Sequence, residues 1–186
     1  RNKILEEVQK QIAIVGQKTT AEREKEKSEE EKLLQNLDHK SKESFSKAMS
    51  SCNISTAFFI NGAKSAFEMV IKAFSNADLE TLKFLLSEKI YQSFEQAISQ
   101  RKASGKVLVS NIISIDNAEV ISALIIENKA SIVVKIISKQ INYVSDQNGE
   151  VLEGSKNEIN ELTDIWTFTK DITAQDPNWI IVSTHS

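Results

Sequence analysis

The apolar positions of this chain change their period partway along, and the change divides it into two kinds of structure. From Phe58 onwards, Phe59, Ala63, Ala66, Phe67, Val70 and Phe74 recur at helical spacing and make one apolar face. Leu79, Leu82, Leu85 and Leu86 repeat the pattern in a second helix, which Asn76 or Asp78 can cap. Ile90, Phe94, Ala97 and Ile98 give a third, with Ser87 as its cap and Gly105 placed for a left-handed C-terminal cap. The period then falls towards two. Val107–Ile115 and Val120–Ile126 read as strands separated by a bend or bulge near Asp116 and Asn117. A turn at Glu127–Lys129 leads into a long strand over Ala130–Val144. Ile132, Val134 and Ile136 share one face of it, and Val133, Ile137, Ile141 and Tyr143 the other, a pattern that predicts cover on both faces over part of the strand.

Asp146-Gln147-Asn148-Gly149 is a turn signal, and Val151 begins the return. Leu162–Lys170 and Trp179–Thr184 then predict a closing hairpin, rich in aromatic and β-branched residues. Trp166 and Phe168 point one way, and Ile165, Thr167 and Thr169 the other. Pro177 lacks a backbone donor and belongs in the connection. Helices first and an antiparallel meander afterwards predict an α+β fold, three helices packed on a curved antiparallel sheet, with both tryptophans laid over the helices as core anchors.

The first part of the chain reads differently. Ile4, Val8, Ile12 and Val15 stripe a short helix over Arg1–Val15, broken at Gly16–Thr20. Ala21–Lys32 is a dense mixture of glutamate and lysine, able to pair along a solvated helix but unable to bury itself. The expected organisation is therefore a charged N-terminal arm over residues 1–53, helical or partly disordered, and a folded domain over 54–186, with residues before Ser44 independent of the core. The start at Arg1 reads as a fragment of a longer product.

The formal net charge of −3 disfavours a broad nucleic-acid surface. A single cysteine, Cys52, gives no disulfide framework and no cysteine-based metal site. No apolar run reaches the roughly 18 residues of a membrane span. His39 and His185 lie in polar, terminal positions, and no phosphate loop or nucleophile triad assembles. No cofactor or metal is expected. Catalysis would rest on Asp116, Asp164, Tyr91 and Tyr143 inside a cavity between sheet and helices. Gly62, Ala63 and Ala66 are small enough for another element to approach closely, or for a lipid tail to enter. Ser44–Ile60 carries Phe45, Met49 and Cys52 on one side, with Lys40, Lys42 and Lys47 at its start. That suits either a peripheral helix meeting anionic lipid or a cover for the domain's own cavity.

The run FFINGAKSAFEMVIKAFSNADLETLKFLLSEKIYQSFEQAISQRKASG, Phe58–Gly105, resembles the helical half of the Tim44-like domain family. DIWTFTKD at Asp164–Asp171 and DPNWIIVST at Asp176–Thr184 resemble its closing hairpin, with ISALI, ASIVVKIISKQI and NGEVLEG fitting between. DPNW looks more like the bacterial members than the mitochondrial ones. The resemblance implies a cone-shaped fold of the nuclear transport factor 2-like or cystatin-like type. It implies a non-enzymatic, membrane-associated scaffold of a protein translocase at the inner membrane, peripheral or anchored by a segment missing from this chain. Its implied partners are a chaperone, a translocating chain, a membrane complex and anionic lipid, with no nucleic acid. Lipid or peptide binding is expected at Phe45, Met49, Phe58, Phe59, Gly62, Tyr143 and Trp166. The alternatives are an isomerase or hydratase built on the same fold, or a ribosome-associated module.

Overall fold

The structure, a computed structural model, describes Lys3, Glu6 and residues 19–186. Apart from Lys3 and Glu6, the helix expected over Arg1–Val15 lies outside the described residues. The chain divides into a unit ending at Gln35 and a compact unit over Asn36–Ser186. In the first, Thr19 caps α1 (Thr20–Leu34) through a reciprocal capping box with Glu22, and α1 buries no residue. Charge pairing and capping are all that hold such a helix, as its glutamate–lysine sequence dictates.

The second unit carries α2 (His39–Cys52), α3 (Thr56–Asn76), α4 (Leu79–Leu85) and α5 (Glu88–Ala103). Each starts where a side chain accepts a free backbone N–H: Asp38 from Ser41, Ser55 from Phe58, Asp78 from Thr81 and Ser87 from Ile90. Left-handed residues end α2 at Asn53 and α3 at Ala77, and Gly105, at φ 66°, follows α5 as expected. The Arg101 guanidinium donates to the terminal carbonyls of α3 at Phe74 (2.8 Å) and Ser75 (3.3 Å), and stacks 5.1 Å from the Phe74 ring. It thereby satisfies acceptors that the helix leaves open.

The strands are β1 (Val107–Ile126), β2 (Lys129–Ser145), β3 (Val151–Gly154), β4 (Asn160–Asp171) and β5 (Ile180–His185). They form one antiparallel sheet in the order β1-β2-β4-β5, with β3 also on β2. The two strands expected before Glu127 are one, bent rather than broken. Register shifts at Ile112/Ser114, Ile115/Asn117 and Val120/Ser122 let β1 stay paired with β2 while it curves. Glu127 and Asn128, both at positive φ, make the two-residue turn to β2.

One face of the sheet is the core face. Val120, Ile132, Val134, Ile136, Trp166 and Ile181 are all buried there. Trp166 lies 4.8 Å from Phe67 of α3, and Phe168 lies 6.0 Å from Phe59 of the same helix, as the alternation in the hairpin predicted. The expectation that part of β2 is covered on both faces is not met. Val133, Ile137, Ile141 and Tyr143 are only half-buried, and Leu124 and Ile165 beside them are exposed. Antiparallel sheets tolerate one such face.

The boundary expected at residue 53 moves to Asn36. Phe45 and Ala48 have no exposed surface, Met49 and Leu37 are buried, and the Ser41 hydroxyl accepts the Ala123 N–H at 3.2 Å. α2 is thus a fourth core helix rather than part of an arm. The α+β architecture, helices on a curved antiparallel sheet, is the one expected.

Candidate functional site

Helix α3 carries two apolar stripes. Phe59, Ala63, Phe67 and Val70 face the sheet and are buried. Phe58, Gly62, Ala66 and Met69, spaced by four, four and three residues, run alongside and face a cavity of about 540 Å³. The α2–α3 junction closes one side with Cys52 and Ile54, and α4 contributes Phe84 and Leu85. The opposite wall is the end of β4, through Phe168 and Lys170, and the β4–β5 loop, through Ile172, Ala174, Pro177 and Trp179. The lining is mostly apolar. Phe58, Met69 and Phe84 stand 66%, 46% and 58% exposed, although large apolar side chains usually withdraw from water.

Phe59 organises the floor. Its ring meets Phe45 at 5.8 Å, Phe168 at 6.0 Å and Trp179 at 5.1 Å, each edge-on. Edge-to-face geometry at these distances adds to simple area burial and fixes the rings in place. Gly62 is not a close-packing position. A Cβ added there meets nothing within 4 Å. All three small residues line the cavity, and of them Ala63 is the buried one.

The wall holds one cation. Lys170 is 8% exposed, and its Nζ donates to the carbonyls of Asp171 (2.9 Å) and Ala174 (3.2 Å). Asp171 in turn accepts from the Thr173 N–H (2.8 Å) and hydroxyl (2.6 Å), which hold its carboxyl below the usual range, with a smaller contribution from Lys170. The loop forming the cavity wall is therefore knotted to the end of β4 by its own polar groups.

Of the expected ligand residues, Phe58, Phe59 and Gly62 line this cavity. Phe45, Met49 and Trp166 are buried in the core instead, and Tyr143 lies on the other sheet face with the Lys156 ammonium 5.7 Å from its ring. Phe45 packs against Phe59 beneath the cavity floor. Sequence reasoning missed Met69, Phe84, Lys170 and the loop from Ile172 to Trp179. The second stripe on α3 was available as a signal for Met69.

The residues considered for catalysis do not converge, and none lines the cavity. Asp116 is exposed on β1, bonded by the Ser114 hydroxyl at 2.7 Å and near Lys139 Nζ at 3.4 Å, which together lower its pKa. Asp164 is buried, which pushes its carboxyl up; the Ser186 hydroxyl bonds it at 3.0 Å and partly offsets this. Tyr91 is half-buried on α5. Among the described residues no three His, Cys, Asp or Glu side chains gather as a metal site requires, and no helix is long and apolar enough to cross a membrane.

Comparison with known proteins places this geometry in a family. A human protein named as a mitochondrial import inner membrane translocase subunit is 25% identical over 108 residues, 58% of this chain and 24% of that protein. An uncharacterised protein of Rickettsia prowazekii is 26% identical over 123 residues, 66% of this chain and 49% of its own. The intermembrane-space region of the chloroplast protein ARC6 superposes with a TM-score of 0.46 at 14% identity, covering 68% of this chain and 94% of that one. The chain thus spans between a quarter and a half of the length of these two curated relatives. The model of the Tim44-like domain matches residues 46–186, from within α2 to the last residue, so the chain belongs to the Tim44-like domain family.

Proposed function

We propose that this domain is a non-catalytic scaffold working against an inner-membrane surface, and that its cavity holds an apolar group presented by that membrane. The observation that carries the reading is the cavity itself. It has the size of a small-molecule or acyl-chain site, its lining is mostly apolar, and three exposed side chains, Phe58, Met69 and Phe84, ring it. No acid–base pair points into it among the described residues, whereas a catalytic pocket brings such groups together.

The relatives support the setting. The human protein is named as a mitochondrial import inner membrane translocase subunit; the partners proposed for this domain are a translocating chain, a chaperone and a membrane complex. The Rickettsia relative supports a bacterial home. The proposed ligand residues are Phe58, Phe59 and Gly62, with Met69, Phe84 and Trp179 beside them.

Photo-crosslinking in native membranes tests this. A benzophenone amino acid at position 84, at the cavity, is compared with one at position 152, where Leu152 is exposed in β3. Adducts to lipid or to integral membrane proteins at 84 and not at 152 are expected. The same adducts at both positions, or none at 84, would contradict the proposal.

A further inference from the structure

Lys170 has no carboxylate at ion-pair distance among the described residues; the neighbouring Asp171 carboxylate makes only a weaker, longer-range interaction with it. Trp166 and Phe168 alternate inward along β4, and the same parity carries Lys170 to the cavity wall. An ammonium has three donors and no acceptor. Two of the three are met by the Asp171 and Ala174 carbonyls, which are neutral. The adjacent Asp171 carboxylate is turned to Thr173 instead. Withdrawing an ammonium from water without an anionic partner costs several kcal/mol, so lysine is almost never buried unless paired. A loop that needed only pinning would be served by a neutral donor.

We propose that Lys170 is the head-group anchor of this cavity, and that the ligand is a single-chain amphiphile with an anionic head, carboxylate or phosphate, and an apolar tail. The proposal rests on the reading of the cavity as a ligand site. The tail runs along the second stripe of α3, past Ala66, Gly62 and Phe58, where Gly62 leaves open space. The head takes the third donor of the Lys170 ammonium and supplies a negative charge at ion-pair distance. Cavity and cation then select together. The apolar lining rejects small anions, and the ammonium discriminates charged from neutral heads on the same tail.

The full chain is loaded with Nile red, and four competitors are titrated below their micelle concentrations: palmitate, palmitoyl lysophosphatidic acid, hexadecanol and monopalmitoylglycerol. The anionic pair should displace the dye at concentrations roughly tenfold or more below the neutral pair, the worth of one charge-assisted hydrogen bond. Either anion winning supports the proposal, and the better one names the head. Lys170→Met should bring all four together while the dye still binds. A merely structural lysine predicts the contrary, an equal weakening of all four competitors, and that result overturns the proposal. So does a wild type that treats charged and neutral heads alike, a comparison that needs no variant to fold. Gly62→Leu separates the two readings. If it leaves dye and palmitate binding intact, the cavity is not the site and the scaffold reading falls as well. If it abolishes both while the wild type ignores head charge, only the anchor is lost.

Discussion

Gly62 sits inside a long helix, where glycine costs about 0.5–1 kcal/mol relative to alanine. Nothing in the domain uses the space its missing side chain leaves. Gly62→Ala should therefore raise stability by about 0.5–1 kcal/mol, measured by urea unfolding. A loss of stability would show that something does pack there. Asp164 makes a second residue-scale prediction. Burial raises its folded pKa above the ordinary carboxylate value, so the folded state holds the proton more tightly. Its contribution is complete below that ordinary value and is lost as pH rises through the window up to the raised one. Asp116 and Asp171 have lowered pKa values and work the other way, losing stability as pH falls. Asp164→Asn should then stabilise the domain near neutral pH relative to acid, in unfolding curves taken at successive pH values. An unchanged pH profile would contradict this. Lys170 shows what was legible at this scale and what was not. Strand alternation placed it inward with Trp166 and Phe168, but as the last residue of a polar-ended run it read as a strand terminus. Only the folded loop reveals that its charge is enclosed.

At the scale of elements, the hairpin and the helix spacing were legible because their periods are long and clean. Trp166→Ala should cost about 3–5 kcal/mol, the range for emptying a large aromatic site against Phe67. A cost below 1 kcal/mol would mean that the ring is not held. α2 was not legible as core. Its lysines, serines and histidine dominate the sequence, and its apolar residues that turn inward, with Leu37 before it, are only Phe45, Ala48 and Met49, beside the buried Ser41. Burial of so few side chains is invisible until β1 and α3 are in place beneath them. Phe45→Ala should destabilise as strongly as Trp166→Ala, about 3–5 kcal/mol. A chain starting at Asn36 should keep the full unfolding transition, whereas one starting at Ile54 should lose most of it. Equal stability of the two truncations would restore the later boundary. β1 was read as two strands because its bulges interrupt the alternation that marks a strand, although they leave its pairing with β2 continuous.

At the scale of the whole molecule, the fold came from residue patterns that recur along the chain, while the cavity is assembled from α2, α3, α4, β4 and the β4–β5 loop. Residues that far apart in sequence share no period, so only those on α3 were foreseen. The central claim is that this cavity, not the exposed face of the sheet, is what the domain turns to a membrane. Hydrogen exchange of the full chain, with and without vesicles of phosphatidylcholine and phosphatidylglycerol, tests it most directly. The account predicts added protection at the amides of residues 51–69, 84–85 and 172–179, with Leu124 and Ile165 on the opposite sheet face unchanged. Protection centred on that sheet face, or none anywhere, would contradict it.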